Sequence, residues 1–252
     1  MEPKLLLIDT GHSVKYPGAS GIKKEVEWVR AIAEALVNKI DTKQWNVVRV
    51  PDTYPGETSQ TTLIKRINWI NSHSGSGDML ISIHANAADK KPHIRGVSVC
   101  YKGGVKGDNI QITKHCKMQA LALSAAYRDA TGVPYFNSGE MQDANGRYGR
   151  LGMVRDTKPF SLLIECGFVG NAQDMAVSAE SAAQGIANYI NHKNMPVVIA
   201  TGPTPSDEQK TALQQMNERS YIHDISNPLR TVSLADLAVI MMRVINDPRN
   251  KN

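Results

Sequence analysis

The chain has 252 residues, 41% hydrophobic and 21% charged, with a formal net charge of +5. That length suits one sizeable core with a small appendage, and the balance is that of an ordinary globular protein, neither disordered nor fibrous. No apolar run approaches the roughly 18 to 20 residues of a membrane span, and no basic cluster with interleaved aromatics indicates nucleic acid.

The last 46 residues hold six Lys+Arg and six Asp+Glu, so the positive excess lies in the first 206 and suits a polyanionic partner. Three cysteines, Cys100, Cys116 and Cys166, are too scattered for a disulfide framework or a CxxC metal site, and read as buried, inert thiols. The N-terminus, Met1-Glu-Pro-Lys-Leu-Leu-Leu-Ile-Asp9, has a four-residue apolar core and no small-residue cleavage site. It does not read as a signal peptide, so synthesis in the cytoplasm is expected.

In chain order, Lys4 to Asp9 reads as a strand and Thr10 to Gly21 as a loop. Lys23 to Ile40 has helical spacing, with Val26, Val29, Ala33, Leu36, Val37 and Ile40 on one face. Asn46 to Val50 is a second short strand, and Thr61 to Asn71 a helix with Leu63, Ile64, Ile67 and Ile70 inward. Met79-Leu-Ile-Ser-Ile-His84-Ala-Asn86 is a short apolar run between loop signals, the pattern of a strand buried on both faces of a parallel sheet. Gly96 to Tyr101 alternates as a strand should. Ile112 to Thr131 is a long helix closed by Gly132-Val-Pro134, and Asn137 to Gly152 reads as loop. Ser161 to Cys166 is the last strand, and Met175 to Asn191 the closing helix. Strands alternating with helices predict an α/β fold: a mostly parallel twisted sheet with helices on both faces.

Three prolines between Pro196 and Ser206 read as a linker, so the expected division is a domain at 1–192, a linker at 193–206 and a small helical module at 207–252. The second module helix, Ser233 to Asn246, opens on a Ser233…Asp236 variant of the capping box. Its apolar face of Leu234, Leu237, Ala238, Met241, Val244 and Ile245 is hard to bury within so short a unit. Cell-wall binding and oligomerisation are the two readings for it.

Three strands end in residues able to do chemistry. The first runs into Asp9-Thr-Gly11-His12, the third reaches His84, and the last carries Glu165. Ligands of open α/β sheets bind beyond the carboxyl ends of the strands, where these side chains fall. Glu25 and Glu27, at the start of the first helix, offer carboxylates to the same crevice. Two imidazoles and a carboxylate suit catalytic zinc with a fourth position left to water, and a further carboxylate can take up the proton. Intervals of 13 and 59 residues, counted through Glu25, match no short metal motif. His73, His93, His115, His192 and His223 lie in loops or on helix surfaces without a partner at ligand spacing. Cys166 should point away from Glu165, since strand side chains alternate.

Four ordered blocks carry a resemblance: Leu7-Ile-Asp-Thr-Gly-His12; Glu25 leading into Ala31-Ile-Ala33; Ser82-Ile-His-Ala-Asn-Ala87; and Leu163-Ile-Glu-Cys-Gly-Phe-Val-Gly-Asn171. Over roughly residues 4 to 192 the chain resembles the zinc-dependent N-acetylmuramoyl-L-alanine amidases of the amidase-3 type. The resemblance implies zinc on His12, Glu25 and His84, with Glu165 as general base and acid. Glu27 is the alternative to Glu25. Asn86, Asp9 and Arg155 are then candidates for substrate contact or for support of the ligands. It implies peptidoglycan as substrate, with the muramyl–L-alanine amide cleaved by zinc-activated water, and the positive charge would suit anionic wall polymers as further partners. With no signal-peptide pattern, a phage or prophage endolysin that acts at the wall after release from the cytoplasm is the expectation. A mother-cell autolysin and a zinc peptidase cutting the stem peptide are the alternatives. Where the family has Pro-Gly-His-Gly-Gly, this chain has Thr10-Gly-His-Ser-Val14, which alters the loop without removing a ligand. The 207–252 segment loosely resembles half of an S-layer-homology repeat.

Overall fold

The computed structural model describes residues 4–88, 91–145 and 149–193. The linker beyond Lys193 and the module at 207–252, with its wall-binding and oligomerising readings, lie outside the described residues. Six strands form one sheet: β1 (Lys4–Asp9), β2 (Trp45–Arg49), β3 (Met79–Asn86), β4 (Val97–Tyr101), β5 (Tyr135–Gln142) and β6 (Phe160–Phe168), ordered β2-β1-β3-β6-β4-β5. β2, β1, β3 and β6 run parallel, while β4 lies antiparallel to β6 and parallel to β5. The sheet is thus mostly parallel, with one reversal. β3 sits inside it, and Leu80, Ile81 and Ile83 are fully buried, which explains its near-continuous apolar run.

Helices cover both faces: α1 (Glu25–Val37), α2 (Thr62–His73), α3 (Ile110–Thr131), α4 (Gly152–Arg155), α5 (Ala172–Met175) and α6 (Ala179–Lys193). On one face Leu7 and Leu80 pack with Ile70 of α2 and Met153 of α4. On the other, α1, α3 and α6 pack together, with Ile32, Leu36, Leu123 and Ile186 buried to 0%. α3 is capped at both ends, the C-terminal one as its sequence foretells. The Asn109 side chain accepts from the Gln111 and Ile112 amides, and left-handed Gly132 closes the last turn.

Three expectations are corrected. The stretch read as loop from Asn137 holds most of β5. Its pairing jumps from Val97↔Tyr135 to Val99↔Glu140, and Asn137, Ser138 and Gly139 take φ of 49°, 62° and 83° to absorb the extra residues. Such a left-handed bulge in an edge strand reads as turn chemistry in sequence. α2 does not bury Leu63 and Ile64, which are 44% and 57% exposed. It turns Arg66 inward instead, because that guanidinium meets Asp9. The closing helix is two: Ser178 Oγ accepts from the Ser181 amide and starts α6 anew after α5.

A fourth correction, which bears on function, concerns Arg155. Because β4 is reversed, the loop beyond it returns to the edge where β6 begins, opposite the edge where β3 ends. There Arg155, 5% exposed in its side chain, donates to Asp108, to Asp143 at 2.5 Å and to the Gly103 carbonyl. A guanidinium so bound anchors the lower edge, and is turned away from the strand-end crevice. Removing one partner from a buried charged cluster costs about 3 kcal/mol. Arg155→Met should therefore lower the melting midpoint by about 6 to 12 °C with kcat/KM unchanged, which calorimetry and a wall-digestion assay would check.

Candidate active site

The crevice is built by three chain segments meeting at the carboxyl edge. β1 delivers Asp9 and then His12 through a tight turn at Gly11, whose φ is +64°. A Cβ there would stand 2.8 Å from the His84 ring and 2.9 Å from the Ile83 carbonyl, so the close approach of the two histidine segments requires glycine. β3 delivers His84, and the first residue of α1 is Glu25.

Glu25 is the hub. Its Oε1 lies 3.1 Å from His84 Nδ1 and 3.2 Å from His12 Nε2, and accepts from the Ala85 amide at 3.0 Å. Its Oε2 accepts from the Ala19 amide at 2.9 Å. Two backbone amides thus lock the carboxylate, and both imidazoles point at it. His12 and His84 meet edge to face, 5.0 Å between centroids. Burial pushes the Glu25 carboxyl up, but hydrogen bonds from His12 and His84 and their charge outweigh it and hold it well below the usual range. Burial pulls His84 down, but its bond to Glu25 and the Glu25, Glu165 and Asp9 charges raise it overall.

One ligand atom from each of His12, Glu25 and His84 lies within 4.8 Å of the others, the one group of at least three such donors among the described residues. Two nitrogens and one carboxylate oxygen, converging on one point and oriented by backbone amides, fit a divalent metal of zinc's preference. The neighbouring Glu27 is elsewhere: it is 64% exposed and paired with Lys24, whereas the Glu25 side chain is 4% exposed.

Glu165 stands beside the cluster. It is the register partner of His84 on β3, and its Oε2 is buried without a hydrogen-bond partner among the described residues. Burial raises its carboxyl to about 7, with His84 working against the shift and Glu25 adding to it. Cys166 points to the opposite face, where the Tyr127 hydroxyl approaches its thiol. Asp9 is 1% exposed and accepts from the Gly11 amide at 3.1 Å and from Ser82 Oγ at 2.5 Å, with Arg66 Nε 3.3 Å away. It braces the turn that presents His12. Asn86 folds its Oδ1 onto the Ala87 amide, while its carbonyl accepts from the Val169 amide. Ser13 Oγ accepts from the Tyr16 amide, which stabilises the altered loop, and Val14 is exposed.

Sequence reasoning missed Arg66 and Gly18. Arg66 had one signal, a cation on the inward stripe of a helix. Gly18 had none. Its φ is +76°, and a Cβ would lie 2.5 Å from both Glu25 Oε2 and His12 Cδ2. Gly18→Ala should therefore weaken metal binding by about the ten- to hundredfold that lost ligand support costs. Gly77→Ala, with nothing within 4 Å, should leave it unchanged. Chelator competition measures both.

Fold and site together define an α/β enzyme with a metal-competent donor set at the carboxyl edge of its sheet. The N-acetylmuramoyl-L-alanine amidase family model, amidase-3, matches residues 6–192. The chain belongs to this family of cell-wall hydrolases. An uncharacterized cell wall amidase of Bacillus anthracis is 25% identical over 206 residues, covering 77% of this chain, and the chain spans 36% of that relative's length. An N-acetylmuramoyl-L-alanine amidase from Clostridium difficile 630 shares the fold at 20% identity and a TM-score of 0.59, over 78% of this chain and all of that one. The catalytic domain of the CD27L endolysin, which targets Clostridia difficile, does so at 22% and 0.53, over 76% and 96%.

Proposed function

We propose that residues 4–193 form a zinc amidase that cleaves the bond between N-acetylmuramic acid and the L-alanine of the stem peptide. The observation that carries this is the convergence of His12, Glu25 and His84 beside the half-buried Glu165. Zinc held by those three residues would polarise the amide carbonyl and acidify a water. Glu165, opposed to His84 across the β3–β6 pair and with one carboxylate oxygen unpartnered among the described residues, is placed to take a proton from the attacking water. It then gives that proton to the leaving nitrogen, so the C–N bond breaks to a lactyl carboxylate and a free L-alanine amine. The locked Glu25 keeps both imidazoles aimed through the cycle, and Asp9 steadies the His12 turn.

Digesting purified walls and identifying the new termini by mass spectrometry tests the reading. Free N-terminal L-alanine on the peptides is expected. New carboxyl termini within the stem peptide would replace it with a zinc peptidase.

The biological role we assign is that of a phage or prophage endolysin, made in the cytoplasm and released onto the wall. The fold is shared alike by the CD27L endolysin catalytic domain and by the CwlD amidase from Clostridioides difficile, so the choice of role rests on the sequence reading and on the test below. Induced expression in a susceptible host should lyse cells only once the membrane is permeabilised. Lysis confined to sporulating mother cells would assign it to an autolysin instead. Wall or anionic-polymer binding by 207–252 rests on the sequence. Loss of wall sedimentation on ending the chain at residue 195 is the expected result.

A further inference from the structure

β4 carries a residue that no part of the reaction above uses. Ser98 is 1% exposed, and its Oγ has no hydrogen-bond partner among the described residues. Its register partner is Glu165, across the antiparallel β4–β6 pair. Directly opposed residues of such a pair project to the same face with Cβ atoms about 4.5 to 5.5 Å apart. Glu165 in turn opposes His84 on β3. Ser98, Glu165 and His84 therefore form one row across three strands, on one face of the sheet and ending at the ligand cluster.

Two of the three members have orphaned atoms. Ser98 Oγ and Glu165 Oε2 are both buried and both unpartnered among the described residues. One is a hydroxyl that can donate, the other a carboxylate oxygen that can only accept when ionised. A buried orphan of either kind is costly, and here each is the complement of the other. Serine has three staggered χ1 wells, so its hydroxyl can swing between them on the same backbone.

Resting on the assignment of Glu165 as the proton-transfer group, we infer that Ser98 is a positioning residue, donating a hydrogen bond to the inner carboxylate oxygen of Glu165. The bond holds the other oxygen towards the ligand cluster. Ser98 touches neither substrate nor metal, and acts through the orientation of the carboxylate. A proton shuttle needs such a hold, because the same group must face the water first and the leaving nitrogen afterwards.

The test uses the full chain loaded with zinc, a soluble muropeptide, and the variants Ser98→Ala, Glu165→Gln and both together. Loss of a hydrogen bond to a charged group predicts that Ser98→Ala lowers kcat roughly tenfold or more. KM should stay within twofold, zinc content should be unchanged, and the melting transition should remain cooperative. In the Glu165→Gln background the alanine substitution should lower the residual rate by less than twofold, because the carboxylate it served is gone. Full activity in Glu165→Gln alone would overturn the role of Glu165, whatever Ser98 does. With that role intact, a kcat in Ser98→Ala within twofold of the parent would overturn the inference. So would a tenfold loss that persists beside Glu165→Gln.

Discussion

Glu165→Gln is expected to lose about a thousandfold in kcat while keeping its metal. The amide matches the carboxylate in shape but cannot take a proton, and positioned acid–base groups contribute about 10² to 10⁴. Glu165 lies outside the three donors that converge within 4.8 Å, so metal content measured by atomic emission should stay at the parent level. A rate within threefold of the parent would remove it from the mechanism. Stability should move the other way. The folded-state carboxyl is raised from 4.5 to about 7, so the native state binds this proton more tightly than the unfolded chain does. Its destabilising effect is absent below the unfolded value, grows between about 4.5 and 7, and is complete above. Metal-free Glu165→Gln should therefore melt higher than the metal-free parent at pH 8, and the gap should close by pH 4. An active-site group that costs stability is what a functional constraint predicts.

His84→Ala should lose both metal and turnover at zinc concentrations that saturate the parent. The imidazole supplies one of three donors, and its removal also leaves the Glu25 carboxylate with a single imidazole partner. Loss of an outer partner costs metal affinity about ten- to hundredfold, and loss of a ligand should exceed that. Raising zinc concentration should recover part of the His84→Ala rate and none of the Glu165→Gln rate. That contrast separates a residue that holds the ion from one that moves the proton. Equal rescue of both variants would contradict the division of roles.

The sheet was legible because its central strands are short apolar runs framed by loop signals, and burial on both faces demands such runs. β5 was not, since Asn137-Ser-Gly139 carries left-handed turn residues inside a strand. The inward face of α2 was misread for an electrostatic reason: apolar periodicity favoured Leu63 and Ile64, but the buried Asp9 required Arg66. At the crevice, strand-end positions singled out His12, His84 and Glu165. Glu25 and Glu27 lie two residues apart on one helical turn, so helical position left both open, and the family resemblance preferred Glu25 by its distance before Ala33. The choice lies in the Ala19 and Ala85 amides, donors that every residue but proline possesses and that sequence cannot display. Arg155 was drawn towards the crevice by the family resemblance, in which it matches a commonly basic position, whereas β6 runs the whole height of the sheet between it and Glu165.

The reversal of β4 has a consequence for how such an enzyme can diversify. The connection from Asn86 to Val97 leaves and re-enters the sheet at the same edge, so it needs no crossover helix and no set length. It shares that edge with the loops after β1, β2 and β6, while the Asp108–Asp143–Arg155 anchor holds the opposite edge. Insertions in the 87–96 segment can therefore reshape the entrance for a different wall chemistry while the anchor continues to hold the scaffold. The protein separates the part that must persist from the part that is free to evolve.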